Sequence, residues 1–240
     1  MEKVSVIMNT VNEDRNYLVV AIDACLNQIG CDVELLISTV EGDKNINFIK
    51  EKYPSVLIVT MPLKDHPLST VGKSPKGSFL QLNNALPYIT GDWFTFASGN
   101  DFLYSNKFSL EIECCKNQGK EVCYSAYDYV NDNGDLIKHQ YFHDYDFDKH
   151  MIGNFVADCS MISRRLVDKY LPFKVELNNY AYWDLWLRIR KEEGNVFTYN
   201  PVPVWGYRQD TNSMHVKRSK SPELIEVAKR DRDIMLALHK

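Results

Sequence analysis

The stretch GDWFTFASGND, residues 91–101, decides the fold that this sequence predicts. Residues 93–97 are apolar except for one threonine, and they predict a buried strand. The strand runs directly into the polar tetrad Ser98-Gly99-Asn100-Asp101. Because ligands of open parallel sheets bind beyond the carboxyl ends of the strands, we expect a functional site at this tetrad.

Three similar strands are predicted before this one, and helical segments separate them. The strands cover residues 4–8, 33–38 and 56–59, and the helices cover residues 15–29, 45–53 and 78–89. Regular alternation of strands with helices is typical of βαβ units. It predicts an α/β fold with a central, mostly parallel sheet that is flanked by helices on both faces.

The second half of the chain has a more mixed pattern. It predicts strands over residues 122–130 and 196–199, and helices over residues 105–118, 160–170 and 183–193 and from residue 222 onward. No internal repeat and no linker interrupts the sequence. We therefore expect a single domain over residues 1–215, with a C-terminal helical extension, residues 216–240, packed on it.

The composition is that of an ordinary globular protein, with 45% hydrophobic and 25% charged residues. A net charge of −4 argues against a nucleic-acid partner held through its phosphates. No apolar run reaches the ~18 residues of a membrane-spanning helix, and no signal sequence is recognisable. The sequence thus predicts no transmembrane segment, and a location in the cytoplasm or peripheral to the membrane. The cysteines show no zinc-site spacing and are expected to be buried thiols.

Two common nucleotide-binding motifs are absent from the sequence: no G-x-G-x-x-G pattern follows the first strand, and there is no P-loop. Instead, hydroxyl, amide and acidic side chains follow three of the predicted strands. They are Thr10, Asn12 and Glu13 after the first strand, Thr39, Glu41 and Asp43 after the second, and Asn100 and Asp101 after the fourth. Such groups can hydrogen-bond a base and a ribose, and their oxygens can bind Mg²⁺ or Mn²⁺.

An ordered set of short motifs resembles the family 2 glycosyltransferases of the GT-A fold. The motifs are VSVIMNTVNE (residues 4–13), AIDACLNQ (21–28), GDWFTF (91–96), WDLWLR (183–188) and YRQDTNS (207–213). The polar tetrad, residues 98–101, occupies the position of that family's D-x-D-D acids. Each motif alone is weak, but together they are collinear over most of the chain, which makes the resemblance specific.

The resemblance implies an inverting glycosyltransferase of the hexosyltransferase type, acting in polysaccharide biosynthesis. The expected donor is a nucleotide-diphosphate sugar, in particular a UDP-sugar, and the expected acceptor is a hydroxyl of a glycan or glycolipid. A divalent cation, Mn²⁺ or Mg²⁺, would neutralise the leaving diphosphate, and a base would deprotonate the acceptor. The residues that the resemblance places at the nucleotide are Thr10, Asn12, Glu13, Thr39, Glu41, Asp43, Gly77, Asn83 and Asn100.

The sequence departs from the family pattern in the expected metal site. Ser98 and Asn100 stand where the family has acids, so Asp101 is the one expected carboxylate ligand of a weakly held cation. In the last motif, Asp210 replaces the family's histidine. His215, five residues further on, is therefore the second expected ligand of the metal or the diphosphate.

A second departure concerns the catalytic base. Ala181 and Tyr182 replace the acids that often precede the family's D-L-W-L-R helix, so Asp184 is the nearest candidate base. The alternative for Asp184 is an acid that the dipole at the N-terminus of its helix stabilises. Trp183 and Arg208 are the residues expected at the acceptor or the diphosphate.

The missing acids motivate a second hypothesis for the whole protein. On that hypothesis the chain is a catalytically silent protein that binds a nucleotide or a sugar on the same scaffold. A nucleotidyltransferase is a third hypothesis, which the lack of a basic glycine-rich loop after the first strand disfavours. A homodimeric assembly is compatible with each of them.

Overall fold

The structure, a computed structural model, describes residues 1–63, 76–209 and 222–239. In the first half of the chain, strands and helices alternate as the sequence predicts. The elements are β1 (Lys3–Asn9), α1 (Arg15–Leu26), β2 (Asp32–Val40), α2 (Ile46–Lys52), β3 (Leu57–Met61), α3 (Lys76–Ala85), a 3₁₀ turn (Leu86–Tyr88) and β4 (Trp93–Ser98).

The second half adds short strands and the remaining helices. They are β5 (Phe102–Leu103), α4 (Lys107–Gln118), β6 (Val122–Ser125), β7 (Tyr127–Val130), β8 (Leu136–Gln140), α5 (Phe147–Ile152), β9 (Met161–Ser163), α6 (Arg164–Tyr170), a 3₁₀ helix (Val175–Tyr180), α7 (Ala181–Glu193), β10 (Phe197–Asn200), β11 (Trp205–Arg208) and α8 (Pro222–Ala237).

Seven strands form the central sheet in the order β10-β6-β9-β4-β1-β2-β3. All of them run parallel except β9, which is antiparallel to both of its neighbours. The central strand β1 pairs with β2 on one side and β4 on the other, so that Val6 lies opposite both Leu35 and Thr95. The prediction of a mostly parallel sheet in an α/β fold is confirmed.

Helices cover both faces of this sheet, and alternate residues of its strands belong to two separate cores. Ile7 and Phe94 point into a core that α3, α6 and α7 complete, while Val6 and Met8 point into a core with α1 and α4. Burial on both faces explains why these strands read as continuous apolar runs. The C-terminal helix α8 contributes the fully buried Met235 to the first core, so it packs on the domain.

A smaller sheet in the order β5-β11-β7-β8 lies next to the central one. The sequence predicts a single strand over residues 122–130, and this prediction is wrong in one respect. The segment divides at Ala126 into β6, which belongs to the large sheet, and β7, which belongs to the small one. Ala126 N donates to Asn200 O at 3.0 Å, and Ala126 O accepts from Val204 N at 3.2 Å. Valine and tyrosine recur on both sides of this change of partners, so the sequence reads as one strand there.

The predicted first residue of the helix over residues 160–170 is also wrong. Residues 161–163 form β9, and α6 begins at Arg164, where the Ser163 side chain accepts a hydrogen bond from Leu166 N as the N-cap.

The cysteines are all free and five of the six are buried, as expected. Among the helices in the described ranges, none is long and apolar enough to cross a membrane.

Gly91 brings the turn before β4 against the start of β1. A Cβ at this position would lie 2.6 Å from Ser5 N, 2.8 Å from Ser5 Oγ and 2.9 Å from Lys3 O. Gly91 N donates to Ser5 Oγ at 2.7 Å, and Asp92 N donates to Lys3 O at 2.8 Å. This close approach of two backbones sets where β4 begins, and it has no room for a side chain.

The variant Gly91→Ala is expected to lower the free energy of unfolding by about 2 kcal/mol or more, because backbone atoms must move to admit the methyl group. Urea denaturation measures the change. Gly153→Ala is the matched control, since a Cβ at Gly153 meets no atom within 4 Å. If both variants unfold at the same urea concentration, the close approach at Gly91 does not limit stability.

Candidate functional site

A cavity of about 350 Å³ opens at the carboxyl ends of β1 and β4, where the sequence predicts a site. Its volume is within the range of small-molecule sites, roughly 300–1,000 Å³. The strand ends, α1, α3, α7, β5, β11 and the turn before β9 all contribute to its walls. The lining residues are Met8, Asn9, Ala21, Cys25, Ser78, Phe79, Leu82, Phe96, Ala97, Ser98, Asn100, Asp101, Leu103, Asp158, Cys159, Tyr182, Trp205, Tyr207 and Arg208.

The polar tetrad after β4 is held in a fixed shape by its own side chains and by β11. Ser98 Oγ donates to Asn100 Oδ1 at 2.5 Å. Arg208 N donates to Asp101 Oδ1 at 2.8 Å, and Arg208 Nε donates to Asn100 O at 2.9 Å. Asn100 and Asp101 therefore both line the cavity, as predicted, in positions that Arg208 determines.

Arg208 is almost fully buried, and it joins three parts of the chain. Besides its bonds to the tetrad, its Nη1 donates to Asn131 O at 3.1 Å and also to Asp132 O. Its guanidinium lies 4.3 Å from the ring centre of Tyr17 on α1. Arg208 lines the cavity, and the described hydrogen bonds of its side chain go to backbone carbonyls, so the side chain organises the site wall. Its contact with an acceptor or a diphosphate stays a prediction.

The carboxyl group of Asp101 lies in an unusual electrostatic environment. Burial raises the pKa of its carboxyl to about 7, and the charges of Asp158 and Glu13 act in the same direction. The hydrogen bond from Arg208 N and the charge of Arg208 oppose this rise without cancelling it. The cavity therefore contains a carboxyl group whose negative charge the described residues do not compensate fully.

Asp158 is a cavity residue that the sequence analysis missed. It lies just before β9, and its side chain is accessible to water from within the cavity although protein surrounds it on most sides. Burial raises the pKa of Asp158, while backbone hydrogen bonds and the charge of Lys107 act to lower it. An acid that comes just before an apolar strand could have indicated this cavity residue. The sequence analysis predicts a helix over residues 160–170, however, and so does not recognise the strand β9.

The loop after β1 touches the tetrad, and this brings Thr10 and Glu13 to the site. A Cβ at Gly99 would lie 3.0 Å from Thr10 Oγ1 and 3.5 Å from Glu13 Cγ, so residue 99 must be small. Thr10 is 5% exposed, and its Oγ1 has no hydrogen-bond partner among the described residues. A buried hydroxyl without a partner next to a cavity is suited to bind a polar ligand group.

The loop after β2 holds the loop after β1 in place. Asp43 accepts hydrogen bonds from Asn12 N and Thr39 Oγ1, both at 2.7 Å, and from Asn45 N at 2.8 Å. Asn12 has a φ of 52° and accepts from Lys44 N. Asn12, Thr39 and Asp43 thus lie at the predicted strand ends, where they shape the loops, while Glu41 is exposed beside them. Their contact with a nucleotide stays a prediction.

Asn83 is held by two hydrogen bonds to the segment before α7, and its contact with a nucleotide stays a prediction. Its Oδ1 accepts from Phe173 N at 2.8 Å, and its Nδ2 donates to Phe173 O at 3.0 Å. Both ends of the amide are thus used to fasten α3 to the segment before α7. Gly77 lies in the first turn of α3, and His215 lies outside the described residues.

The placement of Asp184 does not fit a catalytic base. Asp184 is 0% exposed and does not line the cavity. Arg188 Nε lies 2.8 Å, Lys174 Nζ 3.3 Å and His239 Nε2 2.9 Å from its carboxylate oxygens. Burial alone would raise the pKa of Asp184, but the hydrogen bonds from His239 and Arg188 and the nearby charges hold it below its usual range. A buried carboxylate with three cationic or imidazole partners fastens α7 to the C-terminus.

Trp183 is a core residue as well, contrary to the expectation of an acceptor contact. It is 4% exposed, and its Nε1 donates to His150 O at 2.8 Å. On α7, successive residues point about 100° apart, so Tyr182 can line the cavity while Trp183 and Asp184 pack inside the protein.

The described residues contain no group of three or more His, Cys, Asp or Glu side chains that could hold a metal. Asp101 therefore fits a divalent cation only if the ligand supplies most of the oxygen atoms, as a diphosphate can. The predicted Mn²⁺ or Mg²⁺ site remains a prediction.

Removal of the Asp184 carboxylate is expected to destabilise the fold by about 3 kcal/mol, because it leaves buried partners without a counter-charge. Chemical denaturation of Asp184→Ala measures this. Asp168→Ala is the matched control: Asp168 also pairs with an arginine four residues away, Arg164, but it is exposed, and such a pair contributes less than about 1 kcal/mol. Similar losses in the two variants would contradict the structural role of Asp184.

In metal-free buffer, the wild-type stability is expected to fall relative to that of Asp101→Asn between about pH 4 and about pH 7. Native Asp101 retains its proton up to a pKa of about 7, whereas the unfolded chain releases it near the ordinary value of 3.8, so the native state binds more protons in this interval. Denaturation at several pH values, with Asp168→Asn as control, measures a relative change on the order of a few kcal/mol, since each pKa unit corresponds to about 1.4 kcal/mol. Parallel stability curves for wild type and Asp101→Asn would be evidence against an uncompensated Asp101.

Solved structures share this fold. The chain is similar to S. aureus TarS 1–349, at a TM-score of 0.67 and 15% identity over 97% of this chain and 65% of that one. The same fragment in complex with UDP matches at 0.67 and 14% identity, and in complex with UDP-GlcNAc at 0.68 and 13%; each match covers 99% of this chain, and 70% and 71% of those chains.

The chain thus spans about two thirds of the TarS fragment, and it spans 42% of the longer TarS structure. No protein-family model matches the sequence, and no curated protein does. At such low identity the likeness establishes the fold alone: a central, mostly parallel sheet flanked by helices, as in TarS.

Proposed function

We propose that the chain is an inverting glycosyltransferase that transfers a sugar from a UDP-sugar to an acceptor hydroxyl. One observation carries this proposal: the cavity with Asn100, Asp101 and Arg208 lies at the carboxyl ends of β1 and β4 in a fold shared with TarS. TarS has been solved with UDP and with UDP-GlcNAc. Ligands of open parallel sheets bind at this edge, and both TarS ligands contain a nucleoside diphosphate.

The donor is assigned to the wall that the loops after β1 and β4 form. Asn100 lines the cavity, and the buried Thr10 Oγ1, which has no hydrogen-bond partner among the described residues, lies beside Gly99 of the same tetrad. Asp101 would hold a divalent cation together with the diphosphate oxygens, because burial has left its charge uncompensated. When bound, the cation would neutralise the charge that develops on the leaving diphosphate.

The acceptor is assigned to the aromatic side chains of the cavity lining, Tyr182, Trp205 and Tyr207. Aromatic side chains with a polar group present an apolar face and a hydrogen-bonding tip. Such a surface suits a sugar ring, which has both apolar and hydroxyl faces, and it supports a glycan or glycolipid acceptor.

A catalytically silent binding protein is the second candidate. The observation that favours it is the start of α7, where Ala181 and Tyr182 supply no carboxylate and Asp184 is buried away from the cavity. The two candidates differ in turnover, since both would bind a nucleotide.

Thermal denaturation with UDP, GDP or dTDP, each with and without Mn²⁺, is the first test. UDP with Mn²⁺ is expected to raise the melting temperature most, because a ligand that binds only the native state stabilises it. The second test is UDP release from a panel of UDP-sugars that includes UDP-GlcNAc. We expect release by the wild type and by the exposed control Asp148→Asn, and a loss of at least about tenfold in Asp101→Asn.

The results separate the hypotheses. Binding of UDP without release from any UDP-sugar favours the silent binding protein. Absence of stabilisation by every nucleotide contradicts both candidates.

A further inference from the structure

Inverting transfer requires a group that takes the proton of the acceptor hydroxyl within the cavity, and the start of α7 does not provide one. Among the described residues that line the cavity, two carry carboxylates, Asp101 and Asp158. Their hydrogen bonds, their exposure and the elements that carry them differ, and these differences give the two residues different tasks. The inference rests on the proposed function.

Asp158 is held on a rigid turn. Ser160 Oγ donates to Ala157 O at 2.7 Å, which closes the turn on itself. Thr95 Oγ1 on β4 donates to Cys159 O at 2.8 Å, which fastens the turn to the central sheet. Cys159 N donates to Asp158 Oδ1 at 3.0 Å and thereby orients the carboxylate. A catalytic carboxylate needs this kind of fixed position.

Asp158 is also the more available of the two carboxylates. Its side chain is exposed to the cavity, and within the described ranges no cationic side chain lies at salt-bridge distance from it. Asp101 is half-buried, and it accepts a hydrogen bond from Arg208 N. Asp101 therefore belongs to the wall with the buried Arg208, whereas Asp158 lies next to Tyr182 and Cys159.

The other groups that could accept a proton near Asp158 keep their own protons. Burial, together with the charges of Asp158 and Cys159, raises the pKa of Tyr182 well above its usual value. Burial also raises the pKa of the Cys159 thiol well above its usual value. Both groups can donate hydrogen bonds at neutral pH, but neither is an effective base. Asp158 also has a raised pKa, and this favours proton transfer to it.

We propose that Asp158 is the general base of the transfer reaction. Its carboxylate takes the proton of the acceptor hydroxyl while the hydroxyl oxygen forms a bond to the anomeric carbon. The bond between that carbon and the diphosphate oxygen breaks, and its electron pair leaves with UDP. Asp158 then releases the proton to water, which restores the carboxylate.

The test uses UDP-GlcNAc as donor and water as acceptor, so no natural acceptor is needed. In Asp158→Ala, UDP release is expected to fall about 100-fold or more, the usual effect of losing a general base. Azide is an anionic nucleophile with no proton to lose, so it should restore UDP release in this variant and yield a glycosyl azide of inverted anomeric configuration. UDP affinity should stay within about twofold of the wild-type value.

Three variants serve as controls. Asp158→Asn keeps the shape of the side chain and should show the same loss, even if the alanine variant folds poorly. Asp101→Asn should lose UDP release without rescue by azide, because its defect concerns the leaving group. Asp148→Ala removes an exposed acid outside the cavity and should behave as the wild type does.

The outcomes distinguish this inference from the proposed function. If the wild type releases UDP and both Asp158 variants release it at a similar rate, Asp158 is not the base and the function stands. If the variants lose activity and azide restores none of it, the role of Asp158 is structural. If the wild type releases no UDP from any UDP-sugar of the panel, the proposed function fails together with this inference.

Discussion

The hydrogen bonds between Arg208 and the tetrad after β4 hold the site together. Arg208 belongs to the small sheet, whereas Asn100 and Asp101 follow the central strand β4. The same side chain reaches the turn at Asn131 and stacks on Tyr17 of α1. One arginine thus joins the two sheets, a turn and a helix around the cavity. A planar guanidinium with several donors can do this where a lysine could not.

The carboxyl groups of the cavity differ from those of the buried ion pairs. The charges of Asp158 and Glu13 act on Asp101, and burial is the largest influence on the pKa of both Asp101 and Asp158. The buried ion pairs join Lys107 to Glu111 and Arg188 to Asp184. Among the described residues, no cationic side chain lies at salt-bridge distance from Asp101 or Asp158, an arrangement suited to a site for a cation or a proton.

The sequence predicts the first half of the fold well, since its strands are buried on both faces and its helices have a clear apolar period. It also places Asn100 and Asp101 at the cavity and Thr10 beside Gly99 of the tetrad, because these residues follow parallel strands directly. It fails where tertiary contacts decide. The face of α7 that carries Asp184 could not be known before the packing of the C-terminus against it. Asp158 could not be recognised as a strand-end residue, because β9 has only three residues, too few to show the alternating pattern of a strand.

The extended segment of residues 122–130 changes from one sheet to the other at Ala126, and this change ties the two sheets together. The strand before Ala126 belongs to the central sheet, and the strand after it belongs to the small sheet, which carries Trp205 and Tyr207. The two sheets are therefore joined by one continuous backbone, and the hydrogen bonds of Ala126 are satisfied on both sides of the change. Covalent geometry at Ala126, together with the bonds of Arg208, ties the sheet that carries β1 and β4 to the sheet that carries Trp205 and Tyr207, so the residues of the cavity lining that come from the two sheets cannot separate without breaking these bonds.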